Sequence, residues 1–444
     1  MIFWAAWIII PLLWEIAPAI MGVFVLIKKR LFSKFYKKPI KYPEITIILP
    51  VYNSAGTLRN CVASIYESEY PKEMMEIFLV DNGSTDESYE IFIQCQAEYK
   101  DMPLWWLKAE QGKSKALNLA LFNSRGKYIF HFDSDGIIEK SALMRMVNKF
   151  EESPDVHCMT GTVLIDPELI ENTEDFFMRL VRRCEMFEYC NAFLAGRNYE
   201  SEFGSLYTLS GAFSAFRKSA ILKTFLYNTT TVGEDTHVTF QIRKLLSHDI
   251  KICEDAIFFV DPIEDYNKLY TQRQRWQRGE IEVSHMFLSE NLKVRRFFSD
   301  FMIRVLMYDH TFAFPRIIWY FAIIYLFFIN YPLYLIVGSF VILFLLYSVC
   351  AFLFYLCVRV YLKEYENLRK YYTKLWYVSV LYPVFNFFVF FIRFAGIINS
   401  IKADMSWRTR TLSQEWEAFK KTVKEDFKAI NSTLEKIRRK INNV

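Results

Sequence analysis

The chain has 444 residues, 53% hydrophobic and 18% aromatic, with only 14 Gly and 13 Pro. That composition excludes collagen-like, low-complexity and Gly/Pro-rich disordered classes. Lys and Arg number 54 against 49 Asp and Glu, a formal net charge of +5, and the mean hydropathy is +0.10. A positive index with 42 Phe does not suit a uniformly soluble protein. Apolar residues concentrate instead at the N-terminus and after residue 300, and the middle reads as a soluble α/β domain large enough to fold. The eight Cys show no C-x-x-C and no ligand-like Cys/His spacing, so they are expected as buried thiols in a reducing compartment.

In chain order, Ile2 to Ile27 is an apolar run long enough to cross a bilayer, which needs about 20 helical residues. No basic residues precede it and Lys28-Lys29-Arg30 follows, which fits a cleaved signal peptide poorly. With Lys34, Lys37 and Lys38, those cations place the following domain in the cytoplasm of a multi-pass plasma-membrane protein. Residues 40–265 alternate strand and helix patterns. Ile45 to Leu49, Ile77 to Val80 and Tyr128 to Phe132 each predict a buried parallel strand. A helix is expected from near Ser54, with Leu58, Val62 and Ile65 on one face. Ligands of such a βαβ series gather at the C-terminal ends of the strands. Polar clusters sit there: Pro50-Val-Tyr52-Asn53, Asp81-Asn82-Gly-Ser-Thr-Asp86 and Asp133-Ser-Asp135.

Asp133 and Asp135 are hard oxygen donors one residue apart, suited to Mg²⁺ or Mn²⁺ with a diphosphate in the remaining positions. A solvated acidic turn is the alternative, which Asp81, Asn82 and Asn53 in the same cleft weigh against. Gly112-Lys113 opens a helix, where a lysine and free N–H groups can meet phosphate. It is not a Walker A loop. Asp235, after Gly233-Glu234, starts another helix, and its carboxylate suits either an N-cap or a general base. In Gln272-Arg-Gln-Arg275-Trp276-Gln-Arg-Gly279, Trp276 offers a flat face for a sugar ring, and Arg275 and Gln272 can hold hydroxyls or phosphate. A basic helix lying on anionic lipid is the competing reading.

Three further apolar segments are expected at 312–330, 332–360 and 375–400, with Lys363, Arg369, Lys370 and Lys374 making the second connection cytoplasmic. Counting spans puts the C-terminal tail outside, whereas Lys402, Arg408 and Arg410 favour inside. Glu15 and Arg393 fall within apolar runs, and they either snorkel or face a polar path between helices. From Leu412 through Trp416, Phe419, Val423, Phe427, Ile430, Leu434, Ile437 and Ile441, apolar residues recur at threes and fours. Such an amphipathic helix either packs on the chain's own domain or docks a second copy or an accessory membrane subunit.

Taken in order, Pro50-x-Tyr-Asn53, Asp81 to Asp86, Gly112-Lys113 with Ala-Leu-Asn118, Asp133-x-Asp135 and Glu234-Asp235 followed by Gln272-x-x-Arg-Trp276 form one set. With its flanking apolar helices, that set resembles family 2 glycosyltransferases of the membrane-embedded, processive kind. The poly-N-acetylglucosamine synthases are nearest, and the hyaluronan synthases and cellulose synthase catalytic subunits are more distant. The resemblance covers roughly residues 1–410 and implies a glycosyltransferase A-type α/β domain flanked by transmembrane helices. It implies a UDP-sugar donor, UDP-N-acetylglucosamine among the candidates, and a growing glycan or lipid-linked acceptor. It also implies that Asp235 is the base beside Glu234, that Asp135 holds metal with Asp133, and that Trp276 lies near the acceptor. Thr208-Leu-Ser210-Gly211 matches a segment that in the family lines the acceptor channel. Many relatives carry Asp at the position of Asn82 and Thr at that of Gly233, the latter change loosening the backbone ahead of the base. The expected layout is a transmembrane helix at 1–30, a catalytic domain at 40–265 and an interfacial segment at 266–300. Helices at 301–400 and a tail at 401–444 follow. An inverting transferase building an extracellular polysaccharide is expected, and no nucleic-acid partner. Transfer of one sugar to a lipid carrier and a catalytically dead membrane scaffold are the alternatives.

Overall fold

The computed structural model describes residues 8–9, 11–32, 42–288, 313–402, 411–417 and 420. The expected seam positions from Val423 to Ile441, with Phe419, lie outside the described residues. Its first helix, α1 (Ala17–Phe32), continues from a π-helical turn at Leu12–Ile16. The strands follow: β1 (Ile45–Val51), β2 (Met75–Asp81), β3 (Leu104–Lys108), β4 (Tyr128–Phe132), β5 (Gly136–Ile138), β6 (Cys158–Ile165), β7 (Phe213–Arg217) and β8 (Lys251–Val260). They form one sheet in the order β3-β2-β1-β4-β7-β6-β8-β5. The first half, β3-β2-β1-β4, is parallel. β7 runs antiparallel to both β4 and β6, and β5 closes the far edge antiparallel to β8.

β1 is buried along its whole length because helices cover both faces of the sheet. Its side chains alternate: Ile45, Ile47 and Leu49 face one core, and Ile48 faces the other. The first core takes α2 (Leu58–Tyr66), α3 (Ser88–Glu98) and, across the sheet, Leu143, Met146, Val147 and Phe150. The second takes Ala116, Leu117, Ala120 and Leu121 of α4 (Lys113–Asn123), the helix expected after Gly112. All eight cysteines are free and buried, as expected.

Three elements join the sheet to the apolar helices. α5 (Phe176–Cys190) runs into a π-helical turn, Asn191–Arg197. α6 (Glu234–Leu245) carries Glu234 and Asp235 in its first turn, and α7 (Tyr266–Leu288) carries Gln272 to Gly279. Beyond them lie α8 (Ala313–Phe328), α9 (Leu333–Tyr361), α10 (Glu366–Lys374) and α11 (Val378–Lys402). Residues Leu333–Glu364 and Val378–Asn399 are long and apolar enough to cross a bilayer by length and composition. The connection between these two spans packs on the sheet domain. Tyr372 is buried in the first core and stacks on Phe187 at 5.8 Å between ring centroids.

Charge fastens α1 to the sheet domain. Lys29 Nζ lies 3.0 Å from Glu254 Oε1 and 2.9 Å from Glu202 Oε1, and Lys149 Nζ lies 2.7 Å from Glu254 Oε2. Arg30 pairs with Asp255 at 3.1 Å and with Glu364 at 2.7 Å, and Arg145 reaches Glu364 at 2.9 Å. Burial opposes the charge of Glu254, but the two lysines outweigh it and hold its carboxyl well below the usual range. The basic end of α1 and the connection at Glu364 therefore meet the sheet domain on one side of the apolar helices. Glu254→Gln strips the half-buried Lys149 ammonium of its carboxylate, leaves Lys29 with Glu202 alone, and is expected to cost about 3 kcal/mol. Losing the exposed pair Arg59–Glu98 (2.8 Å) is expected to cost under about 1 kcal/mol. Thermal unfolding of the purified protein in detergent checks both.

Candidate active site

The turns that follow β1, β2 and β4 meet at the C-terminal edge of the parallel half-sheet. Asn53 stands at φ +50, a conformation asparagine tolerates, and its Oδ1 accepts from Thr85 N at 2.8 Å. Asp81 Oδ1 accepts from Gly83 N at 3.2 Å and Ser84 N at 2.8 Å, an Asx turn that closes β2. Asn82 Oδ1 accepts from Gly112 N, which holds the loop ahead of α4. Gly112 has φ +137, a backbone conformation open to glycine, and the chain enters α4 there with Lys113 pointing inward.

A cavity of 1210 Å³ opens from this edge. Tyr52, Lys113, Asp133 and Asp135 line its sheet end, and Ser210, Gly211, Glu234 and Asp235 line its middle. Gln272, Arg275 and Trp276 line it further on, and it reaches Glu15, Asn386 and Arg393 between the apolar helices. Glu15 and Arg393 thus share a polar path, the second of the two readings open from sequence. Pro50, Asn53, Asp81 and Asn82 are not among its lining residues. The last three shape the loops around its sheet end.

Lys113 is the counter-charge at the centre. Its Nζ lies 2.5 Å from Asp133 Oδ1, 3.3 Å from Gly211 O and 3.7 Å from Glu234 Oε1. Those carboxylates hold its ammonium above the usual lysine range although burial acts the other way. Burial, with Asp133 and Asp261 adding to it, pushes the Asp135 carboxyl up to about 6. Burial also pushes the Glu234 carboxyl up to about 7, with Lys113 drawing it back and Asp235 pushing it further. His131, buried 3.9 Å from Asp133, is held well below its usual value by burial and by Lys113.

Asp235 does not cap its own helix. Gly233 occupies the N-cap position with no side-chain bond, and Asp235 Oδ2 accepts from Gly211 N at 3.0 Å while Oδ1 accepts from Thr236 N at 2.6 Å. A Cβ on Gly211 would stand 3.1 Å from that Oδ2. Gly233, expected to loosen the chain, is instead tightly packed: a Cβ there would lie 2.9 Å from Gly279 O. The two glycines let the start of α6 touch α7.

Two of the α7 cations, Arg273 and Arg278, are buried and paired within the protein. Arg273 is fully buried, 2.6 Å from Glu188 and 3.8 Å from Glu185, and Arg278 meets Glu282 at 2.7 Å. The Arg273 guanidinium lies 4.3 Å over the Trp276 ring, and Tyr189 stands 6.2 Å from it. Trp276 is 41% exposed, which leaves a face for the cavity it lines. Sequence reading missed Arg273 and its partners on α5. The only trace was two acids three residues apart, Glu185 and Glu188.

Residues 46–225 match the profile described as Glycosyl transferase family 2. Over that segment the chain is similar to family 2 glycosyltransferases. It is 26% identical over 239 residues to the poly-beta-1,6-N-acetyl-D-glucosamine synthase of Staphylococcus epidermidis, covering 54% of this chain and 55% of that one. To the synthase of the same description from Staphylococcus aureus strain MSSA476 it is 25% identical over 283 residues, 64% of each chain. The match thus spans between half and two thirds of the curated relatives' length. A mannosyltransferase from Pyrobaculum calidifontis, solved in complex with GDP-Man and Mn²⁺, superposes with a TM-score of 0.55. That superposition covers 85% of this chain and 98% of the other at 17% identity. The fold is glycosyltransferase A-like, as the sequence implied.

Because Glu234 binds its proton more tightly folded than unfolded, its contribution to stability falls as pH rises from about 4.5 to about 7 and is level above. Glu234→Gln removes that loss. The stability gap between variant and wild type should therefore widen in favour of the variant across that window, which melting curves taken at each pH would measure.

Proposed function

We propose that the chain is an inverting, metal-assisted transferase that moves the sugar of a UDP-sugar onto a growing polysaccharide at the membrane, its catalytic domain cytoplasmic. One observation carries this reading: a single cavity runs from Asp133 and Asp135, past Glu234 and Asp235, to Trp276 and the intramembrane residues Glu15, Asn386 and Arg393. Donor, base, acceptor face and exit path then lie along one line. The similarity to poly-beta-1,6-N-acetyl-D-glucosamine synthases supports UDP-N-acetylglucosamine as the donor.

Asp133 and Asp135 fit a divalent ion by donor type, and the raised Asp135 carboxyl marks a place short of positive charge. Among the described residues no three His, Cys, Asp or Glu side chains form a ready cage. Asp133 and Asp135 would therefore share Mg²⁺ or Mn²⁺ with diphosphate oxygens. Bound there, the ion offsets charge building on the departing UDP. Lys113 and Arg275 supply further cations to the diphosphate. Asn82, its oxygen engaged by Gly112 N, keeps its amide N–H groups for a uracil carbonyl. Trp276, braced by Arg273, stacks on the terminal acceptor sugar. The acceptor hydroxyl attacks the anomeric carbon from the face opposite UDP, its proton passes to an Asp235 oxygen, and the bond to UDP breaks. Configuration inverts in one displacement, so no glycosyl-enzyme forms.

A second reading, one transfer to a lipid carrier, is favoured by an apolar gap of 190 Å³ among α8, α9 and α11. Phe390 walls both the gap and the cavity, so a lipid-borne acceptor has a lateral way in. Product length on a gel separates the two readings: a ladder supports elongation, a single species the lipid carrier.

Asp235→Asn should reduce UDP release at least 10³-fold, on the order expected for loss of a general base, while UDP-sugar affinity survives. Wild-type-like turnover would end its assignment as base. Asp135→Ala should weaken UDP binding in the presence of Mn²⁺ and leave metal-free binding little changed, as calorimetry with and without the ion would reveal. Trp276→Ala should shorten the product.

A further inference from the structure

Two arginines, Arg273 behind Trp276 and Arg197 on the cavity lining, are treated oppositely. Arg273 is tied to Glu188, Glu185 and the Gln272 amide oxygen. Arg197 ends the π-helical turn Asn191–Arg197 and lines the cavity, yet it makes no hydrogen bond or ion pair among the described residues. Its Nη1 is shut off from water and unpartnered. Among the described residues, the Phe193 ring supports it, 4.3 Å from the guanidinium carbon. Burial works against its charge, eased by the fields of Tyr207, Glu200 and Asp235. The Nη1 donors, shut off from water over a ring and left without an acceptor, are costly. Isolated π-helical turns, which also carry a cost, recur where a chain shapes a functional site.

The surroundings narrow what would supply the acceptors. Phe193, Tyr199, Phe203 and Tyr207 line the same wall, flat faces of the kind on which pyranose rings stack. The lining as a whole holds nine carboxylates against four cations, so it repels an anionic chain. An uncharged ring carrying hydroxyl or amide-carbonyl oxygens satisfies both the donors and the field.

We propose that Arg197, on its Phe193 support and with Tyr207, forms a subsite that holds a neutral sugar unit of the acceptor glycan next to Asp235. Arg197 is a positioning residue: it donates to ring substituents of the acceptor and takes no part in proton transfer. The proposal rests on the cavity being the acceptor path.

The test uses the full chain in detergent and a short β-1,6-linked N-acetylglucosamine oligosaccharide as probe. Binding is read by tryptophan fluorescence on an Asp235→Asn background, so that it does not depend on turnover. Arg197→Gln should weaken oligosaccharide binding at least tenfold, Arg197→Lys should recover part of the loss, and Phe193→Leu should weaken it by a smaller factor. UDP affinity should stay put in all three, and melting temperature in the two Arg197 variants. Equal oligosaccharide binding in Arg197→Gln and its parent overturns the proposal. So does an equal loss of UDP affinity, which a merely structural arginine would produce. Tighter binding of a uronate-bearing oligosaccharide than of the neutral one overturns the neutral-sugar assignment. If the Asp235-intact chain releases no UDP from any UDP-sugar while Arg197-dependent oligosaccharide binding persists, the proposed function fails and the subsite stands.

Discussion

The site depends on one ammonium group. Asp133, Asp135, Glu234 and Asp235 line one cavity, and at about 4 Å two like charges repel by about 4 kcal/mol even at an effective dielectric of 20. Lys113 is the cation set among them, at 2.5 Å from one carboxylate and 3.7 Å from another. Much of the nearby sequence serves to aim it. Gly112 supplies the backbone turn, Asn82 fixes that turn from the neighbouring strand end, and α4 starts at Lys113 itself. One lysine does not neutralise the group, which is why Asp135 is pushed up to about 6 and Glu234 up to about 7. Under the proposed function that shortfall has a use, because a divalent ion and the acceptor's proton would both enter a site already short of positive charge.

The cavity is shared property. Its sheet end belongs to the family 2 domain, its far end to the apolar helices, and α7 lies between as a plank. Close approach makes this possible. Gly233 and Gly279 let α6 meet α7, and a Cβ on Gly396 of α11 would come within 3.2 Å of Gln274 Cα. On the opposite flank Gly22 of α1 sits against Tyr199, where a Cβ would fall 3.5 Å from the ring. Ion pairs from Lys29 and Arg30 then fasten α1 to the sheet. The path past Trp276 therefore exists only while both halves stay packed, which couples membrane seating to the geometry of the site.

What the sequence disclosed follows from what is local. The three parallel strands were legible because one β-branched run and two short apolar runs each suit a buried parallel strand, and Asp133 and Asp135 were legible because they follow such a run directly. The mixed half was not. β6, β7 and β8 pair with strands up to about 120 residues distant, and no period in the chain announces that. Partner choice was equally hidden. Asp235 looked like an N-cap or a base, and it binds a backbone N–H 24 residues away. Arg273 sits inside a basic run that read as surface, and its acids lie on another helix 85 and 88 residues earlier. Arg197 left no mark at all, because an unpartnered arginine can be recognised only once its surroundings are known.

Neighbouring acids at the start of α6 take different parts for a geometric reason. Successive residues of a helix point about 100° apart, so Glu234 and Asp235 cannot face the same partner. Glu234 turns into the protein towards Lys113, where burial favours its protonated form near neutrality. Asp235 turns to the Gly211 turn, whose N–H fixes one carboxylate oxygen at 3.0 Å, with Thr236 N fixing the other. Under the proposed function, the first is suited to trimming the charge beside the donor, and the second to presenting a fixed lone pair to an acceptor. Asp235 is also the acid whose field reaches Arg197, on the wall where the acceptor is proposed to lie. Exchanging the two side chains would put the longer, proton-holding carboxyl on the acceptor side and leave Lys113 facing a shorter one. The order Glu-Asp, rather than the mere presence of two acids, is what this cavity requires.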